Sequence, residues 1–249
     1  MIRAPSFTND KSTPKLVDLL ERLEKFYGKL KALWPTDPYQ MILYTNCGYP
    51  ASDAACAKGF AALKREVGLR PDEILTASKA KLAEIMRLGG IMPEQRATRL
   101  KEIAALVKHT FAGNLRTVLK MPLPEAKKAL KRFPTIGDPG AEKILLFTKT
   151  APVAAVPSNC IHVLVRLGFG EERKNYAATY RSAQQAIRAA LPEDYVALTR
   201  AYLLLKHHGQ ELCKRSRPLC GQCPISADCV YFQTTGGPIS SPTKMARTD

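Results

Sequence analysis

Four cysteines near one end of the chain have the spacing of a metal site. Cys213, Cys220, Cys223 and Cys229 read Cys-x6-Cys-x2-Cys-x5-Cys. Thiolates this close in sequence can enclose one tetrahedral metal ion or one iron–sulfur cluster. Structural zinc usually joins two tight Cys-x2-Cys-like knuckles that lie far apart. Here only Cys220 and Cys223 form such a knuckle, and the loop from Cys213 to Cys220 is wider. The spacing therefore favours a 4Fe–4S cluster, with zinc as the alternative. The same loop carries Lys214, Arg215 and Arg217, so a bound metal would also shape a basic surface suited to an anion.

A second constellation lies upstream. Residues 130–145 read as two helices separated by Pro134-Thr135-Ile136-Gly137, with Lys127, Lys128, Lys131 and Arg132 just before the turn. Asp138 reads as an N-cap with Pro139 at the first helical position, and Gly137 as the residue free to take a positive φ. A hairpin ending on a helix N-terminus points unsatisfied amides outward, which suits a phosphate. A plain helix–helix connection has the same local pattern.

The charge balance agrees with an anionic partner. The 249 residues carry 38 Lys and Arg against 22 Asp and Glu, a net +16. Such an excess favours nucleic acid first and an acidic membrane surface second. No run of eighteen apolar residues is present, so no transmembrane helix is expected. The polar start of the chain lacks the apolar stretch of a signal peptide. Three further cysteines, Cys47, Cys56 and Cys160, make the count odd, which points to a reducing, cytoplasmic setting with these three as small buried hydrophobes.

The elements that must position these groups are helices. Leu16, Leu19, Leu20, Leu23 and Phe26 recur at helical spacing. Pro38 to Cys47 follows Asp37 and reads as a buried helix, and Asp53 to Val67 as an amphipathic one. The pattern continues over 72–75, 78–88, 94–110, 124–133, 139–149, 160–167, 176–190 and 194–207. Only Val153 to Val156 shows strand-like character, and it is short. The chain is expected to be all-α, with about ten helices. Residues 233–249 are rich in Ser, Thr, Gly and Pro and read, with residues 1–10, as flexible tails.

Together these features resemble the helix-hairpin-helix DNA glycosylases of the endonuclease III superfamily. Phe133-Pro134-Thr135-Ile136-Gly137 is similar to the family's Leu-Pro-Gly-Val-Gly hairpin, with Thr135 in place of the first Gly. His208 through Cys229 is similar to the cluster end. Pro38 to Asp53 resembles the early helix and its following loop, and Ala155 to Phe169, with Val163-Leu164-Val165-Arg166, the helix that follows the catalytic aspartate. The resemblance spans roughly residues 30 to 230. It implies a two-lobed all-α fold: a six-helix bundle with the hairpin over 32–151, and a discontinuous 4Fe–4S lobe over 11–31 and 152–232. It also implies a monomer that binds double-stranded DNA carrying a damaged or mismatched base, flips that base and cuts its glycosidic bond. Backbone contacts would come from Thr135, Ile136, Gly137, Lys214, Arg215 and Arg217. Ile91 matches the family's wedge, which fills the vacated stack, although an isoleucine equally suits a core. Pro50 falls where the family often has a gap-filling glutamine.

The catalytic positions depart from the pattern. Bifunctional members place a nucleophilic lysine two residues after the second hairpin glycine; here that residue is Pro139. The catalytic aspartate's position is Pro157, in Val156-Pro157-Ser158-Asn159. Neither proline can act as acid, base or nucleophile. Strong lyase activity is therefore not expected, and a catalytic residue is not identified. Asp138 and Lys143 are candidate substitutes, with Glu142 and Asn159 behind them. The alternative is a protein that binds DNA lesions or distorted DNA without cutting.

Overall fold

The computed structural model describes residues 15–49 and 52–235. The expectations for residues 1–10, for 236–249 and for Pro50 lie outside the described residues.

The described chain is all-α, as the periodicity predicts. In order, its helices are α1 (Leu16–Tyr27), α2 (Pro38–Gly48), α3 (Asp53–Glu66), α4 (Pro71–Thr76), α5 (Lys79–Met86) and α6 (Pro93–Thr110). They are followed by α7 (Leu123–Leu130), α8 (Asp138–Phe147), α9 (Ile161–Leu167), α10 (Tyr176–Ala190), α11 (Tyr195–Glu211) and α12 (Val230–Thr235). No strand occurs among the described residues, and the segment at 153–156 is irregular. The last helix was not foreseen. It carries the ordered chain through 233–235, beyond the boundary expected at 232.

The chain divides into two compact units. One comprises Leu30–Asn159 and Pro192–Leu203; the other comprises the residues up to Lys29, Cys160–Leu191 and those from Leu204 onward. The expected lobe limits differ, since 152–159 and 192–203 group with the bundle that holds the hairpin. In the second unit, Leu16, Leu19, Leu20 and Leu23 form the buried stripe of α1, and Cys160 is buried. In the first unit α2 is buried along most of its length, so it carries almost no polar face. Its start is fixed by Asp37, whose carboxylate accepts from the Gln40 backbone N–H at 3.1 Å. Cys47 and Cys56 are buried in this unit.

The far end of α2 is an unusual junction. A helix C-terminus leaves carbonyls without intrahelical donors. Here Arg96 of α6, itself buried, supplies them. Its Nη1 donates to the carbonyls of Asn46 and Tyr49, each at 3.2 Å, and Nη2 to that of Gly48 at 3.2 Å. Its Nε donates to the Ile91 carbonyl at 2.8 Å. A cation at the negative end of a helix dipole is favourable. Gly89 closes the same junction from another side: a Cβ there would lie 1.6 Å from the Cys47 carbonyl oxygen, so only glycine fits. Replacing Arg96 with Met should keep the volume but orphan four carbonyls. The expected loss is roughly 2–4 kcal/mol of unfolding free energy, read from the shift in urea midpoint at unchanged m-value.

Candidate DNA-binding hairpin and four-cysteine pocket

The hairpin joins α7 to α8 and differs in detail from the pattern that predicts it. The N-cap of α8 is Gly137, not Asp138, and no side chain caps the helix. Asp138 is the first helical residue, and its carboxylate turns to α7 instead, 2.8 Å from Lys131 Nζ and 4.0 Å from Lys127 Nζ. An ion pair with two lysines outcompetes the local cap. The positive φ also falls elsewhere: Gly137 has φ −95°, while Thr135 has φ +65°. A β-branched residue in the left-handed region is strained by about 1–2 kcal/mol.

That conformation is held by Asn46, which is 2% exposed. Thr135 Oγ1 donates to Asn46 Oδ1 at 3.2 Å. Asn46 Nδ2 donates to the Pro134 carbonyl at 3.2 Å and to the Ile42 carbonyl at 3.0 Å. One buried carboxamide on α2 thus clamps the turn by side chain and by backbone. Ile136 is buried, at 5% exposure, so any contact it makes with an outside partner must come from its backbone. Thr135 and Gly137 are exposed. The space beyond the Gly137 Cα is open, with Pro139 Cδ nearest to an added Cβ at 3.7 Å. Neither φ nor internal packing demands a glycine there, which suits close approach by another molecule.

The candidate wedge lies on the same unit. Ile91 is 74% exposed and Met92 next to it has φ +60°. Arg96 grips the Ile91 carbonyl, so the side chain projects from a fixed backbone, and the core assignment for Ile91 is excluded.

The candidate substitutes for the catalytic groups all have partners. Asp138 is paired as above. Lys143 Nζ sits 3.7 Å from the centre of the Trp34 ring, a cation–π contact. Glu142 is buried and takes Lys127 Nζ at 2.6 Å. Asn159, beside Pro157, accepts from the Tyr49 hydroxyl at 3.0 Å through Oδ1.

In the other unit, one apolar pocket is lined by all four cysteines of the spacing motif, with His208, Arg166 and Tyr231. Among the described residues, no three His, Cys, Asp or Glu groups gather closely enough to hold a single metal ion. Two side chains address the sulfurs. Arg166 Nη1 lies 3.4 Å from Cys213 Sγ, and His208 Nε2 lies 3.7 Å from Cys223 Sγ. The Tyr27 hydroxyl meets the other ring nitrogen of His208 at 2.9 Å, which gives this histidine, 1% exposed, a buried partner. His162 meets the Cys213 carbonyl at 2.7 Å through Nε2, a structural role. Burial pushes the Cys213 and Cys220 thiols up and lifts Cys223 to about 11.

Arg166 has a second task. Its guanidinium donates to the Lys214 carbonyl at 2.8 Å and to the Arg215 carbonyl at 2.6 Å, and stacks 4.8 Å from the Tyr231 ring centre. The basic loop is therefore tied to the thiol pocket by its backbone, leaving Lys214, Arg215 and Arg217 exposed.

This architecture recurs in known proteins. The endonuclease III of Thermotoga maritima is 24% identical over 201 residues, covering 81% of this chain and 86% of its own. The thymine-DNA glycosylase of Aeropyrum pernix is 25% identical over 162 residues, 65% of this chain and 69% of its own. A solved trapped endonuclease III–DNA covalent intermediate superposes with a TM-score of 0.71 at 17% identity, over 88% of this chain and 96% of that one. In sequence and in fold the chain is similar to members of the endonuclease III superfamily. A solved thermostable thymine-DNA glycosylase shares the superfamily fold at a TM-score of 0.67 and 20% identity, over 88% and 96% of the two chains. No protein-family model matches the sequence.

Sequence reasoning missed the residues that hold the hairpin and the Ile91 backbone in place. Asn46 and Arg96 sit inside helices without a local motif, and their partners lie far along the chain. Replacing Asn46 with Ala should cost roughly 1–3 kcal/mol by orphaning buried groups. The loss should be smaller in a Thr135→Gly background, where the strained φ no longer needs a clamp. Urea unfolding of the four proteins checks this; additive losses would show that the two residues are uncoupled.

Proposed function

We propose that the protein is a base-excision-repair DNA glycosylase that flips a damaged or mismatched base from duplex DNA and hydrolyses its N-glycosidic bond. The observation that carries this reading is the clamped hairpin, with exposed backbone at Thr135 and Gly137, on the same unit as the projecting Ile91. The outward amides of the hairpin bind a phosphate. Ile91 enters the stack when the base leaves it. Lys214, Arg215 and Arg217 add backbone contacts that carry no sequence information.

The two prolines decide the chemistry. Pro139 offers no amine, so no Schiff base forms at that position and strand scission by β-elimination is not part of the reaction. Cleavage is then hydrolytic: water adds to the sugar carbon, the C–N bond breaks, and the base leaves with a proton. Asn159, oriented by Tyr49, is the polar group beside Pro157 and is assigned to orient that water. Asp138 and Lys143 remain candidates for the same test. A second reading, a lesion binder without catalysis, is favoured by the loss of both catalytic side chains.

Single-turnover assays on duplexes carrying a panel of lesions and mismatches separate the two. We expect release of at least one base, an unbroken strand at the abasic site until alkali is added, and no adduct on borohydride treatment. Asn159→Ala should slow release by 10²-fold or more, an effect typical of losing a positioned catalytic group. Tight lesion binding with no base released would establish the binder, and a trapped adduct would refute the hydrolytic route.

We assign a 4Fe–4S cluster to Cys213, Cys220, Cys223 and Cys229. The residues fit it: four thiols line one apolar pocket, Arg166 donates to Cys213 Sγ, His208 lies against Cys223 Sγ, and the Cys-x6-Cys-x2-Cys-x5-Cys spacing favours a multi-iron core over one zinc ion. When bound, the cluster supplies a rigid, charged knot for the basic loop. Because burial raises the pKa of the Cys213, Cys220 and Cys223 thiols, loading must release protons and is favoured as pH rises. Purified protein should be brown, with broad visible absorption and iron and sulfide in equal amounts. Cys223→Ser should lose most of that absorption. A colourless protein with stoichiometric zinc would overturn the assignment.

A further inference from the structure

Beside the hairpin, the flank of α7 forms an open groove of about 520 Å³, lined by Lys127, Lys128, Lys131, Arg132 and Asp138 together with Leu123 and Pro124. The cations stand in two columns at i, i+4 spacing: Lys127 with Lys131, and Lys128 with Arg132. The columns differ in what faces them. In the first, Lys127 holds the buried Glu142 at 2.6 Å, and Lys131 holds Asp138 at 2.8 Å. In the second, Lys128 and Arg132 are exposed, and neither forms an ion pair among the described residues. Arg132 rests over the Phe111 ring at 5.9 Å. The groove thus holds four cations facing one half-exposed carboxylate, since Glu142 is turned inward.

We propose that this groove is a second binding site for the DNA backbone, contiguous with the hairpin, and that Asp138 is its built-in counter-anion. The proposal rests on the DNA-binding reading above. Lys128 and Arg132 take phosphate oxygens directly. The Asp138 carboxylate occupies the place beside Lys131 and Lys127 where a further phosphate would sit, so DNA must compete with it. Each phosphate neutralised by a free cation releases counterions; a lysine already paired with Asp138 has fewer to release. Asp138 therefore lowers affinity for any duplex, and with it the time spent on undamaged DNA. This gives the Asp138 carboxylate a function on the protein surface that is independent of base cleavage.

The test is the affinity of the full chain for an undamaged fluorescent duplex, measured by anisotropy over a range of salt concentrations. The slope of log K against log salt counts the phosphates neutralised, at about 0.9 each. Replacing both Lys128 and Arg132 with Ala should reduce the slope by about 1.8 and weaken binding at least 10-fold at low salt. Lys64→Ala, an exposed lysine outside the groove, controls for net charge and should change the slope little. Asp138→Asn should tighten binding several-fold and steepen the slope by about one phosphate equivalent. If the double variant loses no more than the control, or if Asp138→Asn leaves slope and affinity at wild-type values or weakens binding, the groove is not a DNA site. A wild-type slope near zero would sink the DNA-binding reading itself, and the groove with it. A steep wild-type slope with unresponsive groove variants would sink the groove alone.

Discussion

The unit that holds the hairpin depends on how one helix ends. The last turn of α2 is buried, and its carbonyls have no water to meet them. Arg96 meets them with a guanidinium that bonds to Asn46, Gly48 and Tyr49 and reaches on to Ile91. The side chain of Asn46 in that same turn secures the hairpin, and the Tyr49 hydroxyl secures Asn159. The hairpin, the Ile91 backbone and Asn159 are thus all referenced to one helical turn. A buried polar junction of this kind is worth little per bond but is costly to break, because each orphaned group bears its full desolvation cost.

The hairpin shows how such a junction substitutes for sequence. The family pattern puts a glycine where the backbone must turn left-handed, and this chain has Thr135. The strain is tolerated because the threonine hydroxyl finds Asn46 and because Pro134 is anchored by the same carboxamide. The remaining glycine, Gly137, keeps a conventional backbone and an open flank. Its value lies in what it leaves room for rather than in its torsion.

The parts legible in the sequence were those written at fixed short spacing. The cysteine motif and the helical periodicities each lie within a few turns of chain, and the all-α fold and superfamily followed from them. Helix ends were less legible. Asp138 followed by Pro139 has the local signature of a cap, yet Lys127 of α7 and Lys131 just past its end took the carboxylate. The exposure of Ile91 could not be read, because an isoleucine after Gly-Gly looks alike in a core or at a surface. Arg96 and Asn46 could not be found at all. A polar residue inside a helix shows its purpose only when its partners, 47 to 89 positions away, are in place. Arg166 belongs to the same group: its tie to Lys214 and Arg215 crosses nearly fifty residues.

That tie bears on how the four-cysteine pocket is held. In a loop held only by metal, the thiols must be brought together as the metal arrives, and loop closure slows every encounter. Here Arg166 fastens the start of the loop from inside a helix, and the Cys229 sulfur meets the Arg166 carbonyl at 3.4 Å. One guanidinium and its own backbone thus address both ends of the ligand set. The geometry of the four-cysteine pocket is therefore set at both ends of the motif by the fold around one residue of α9.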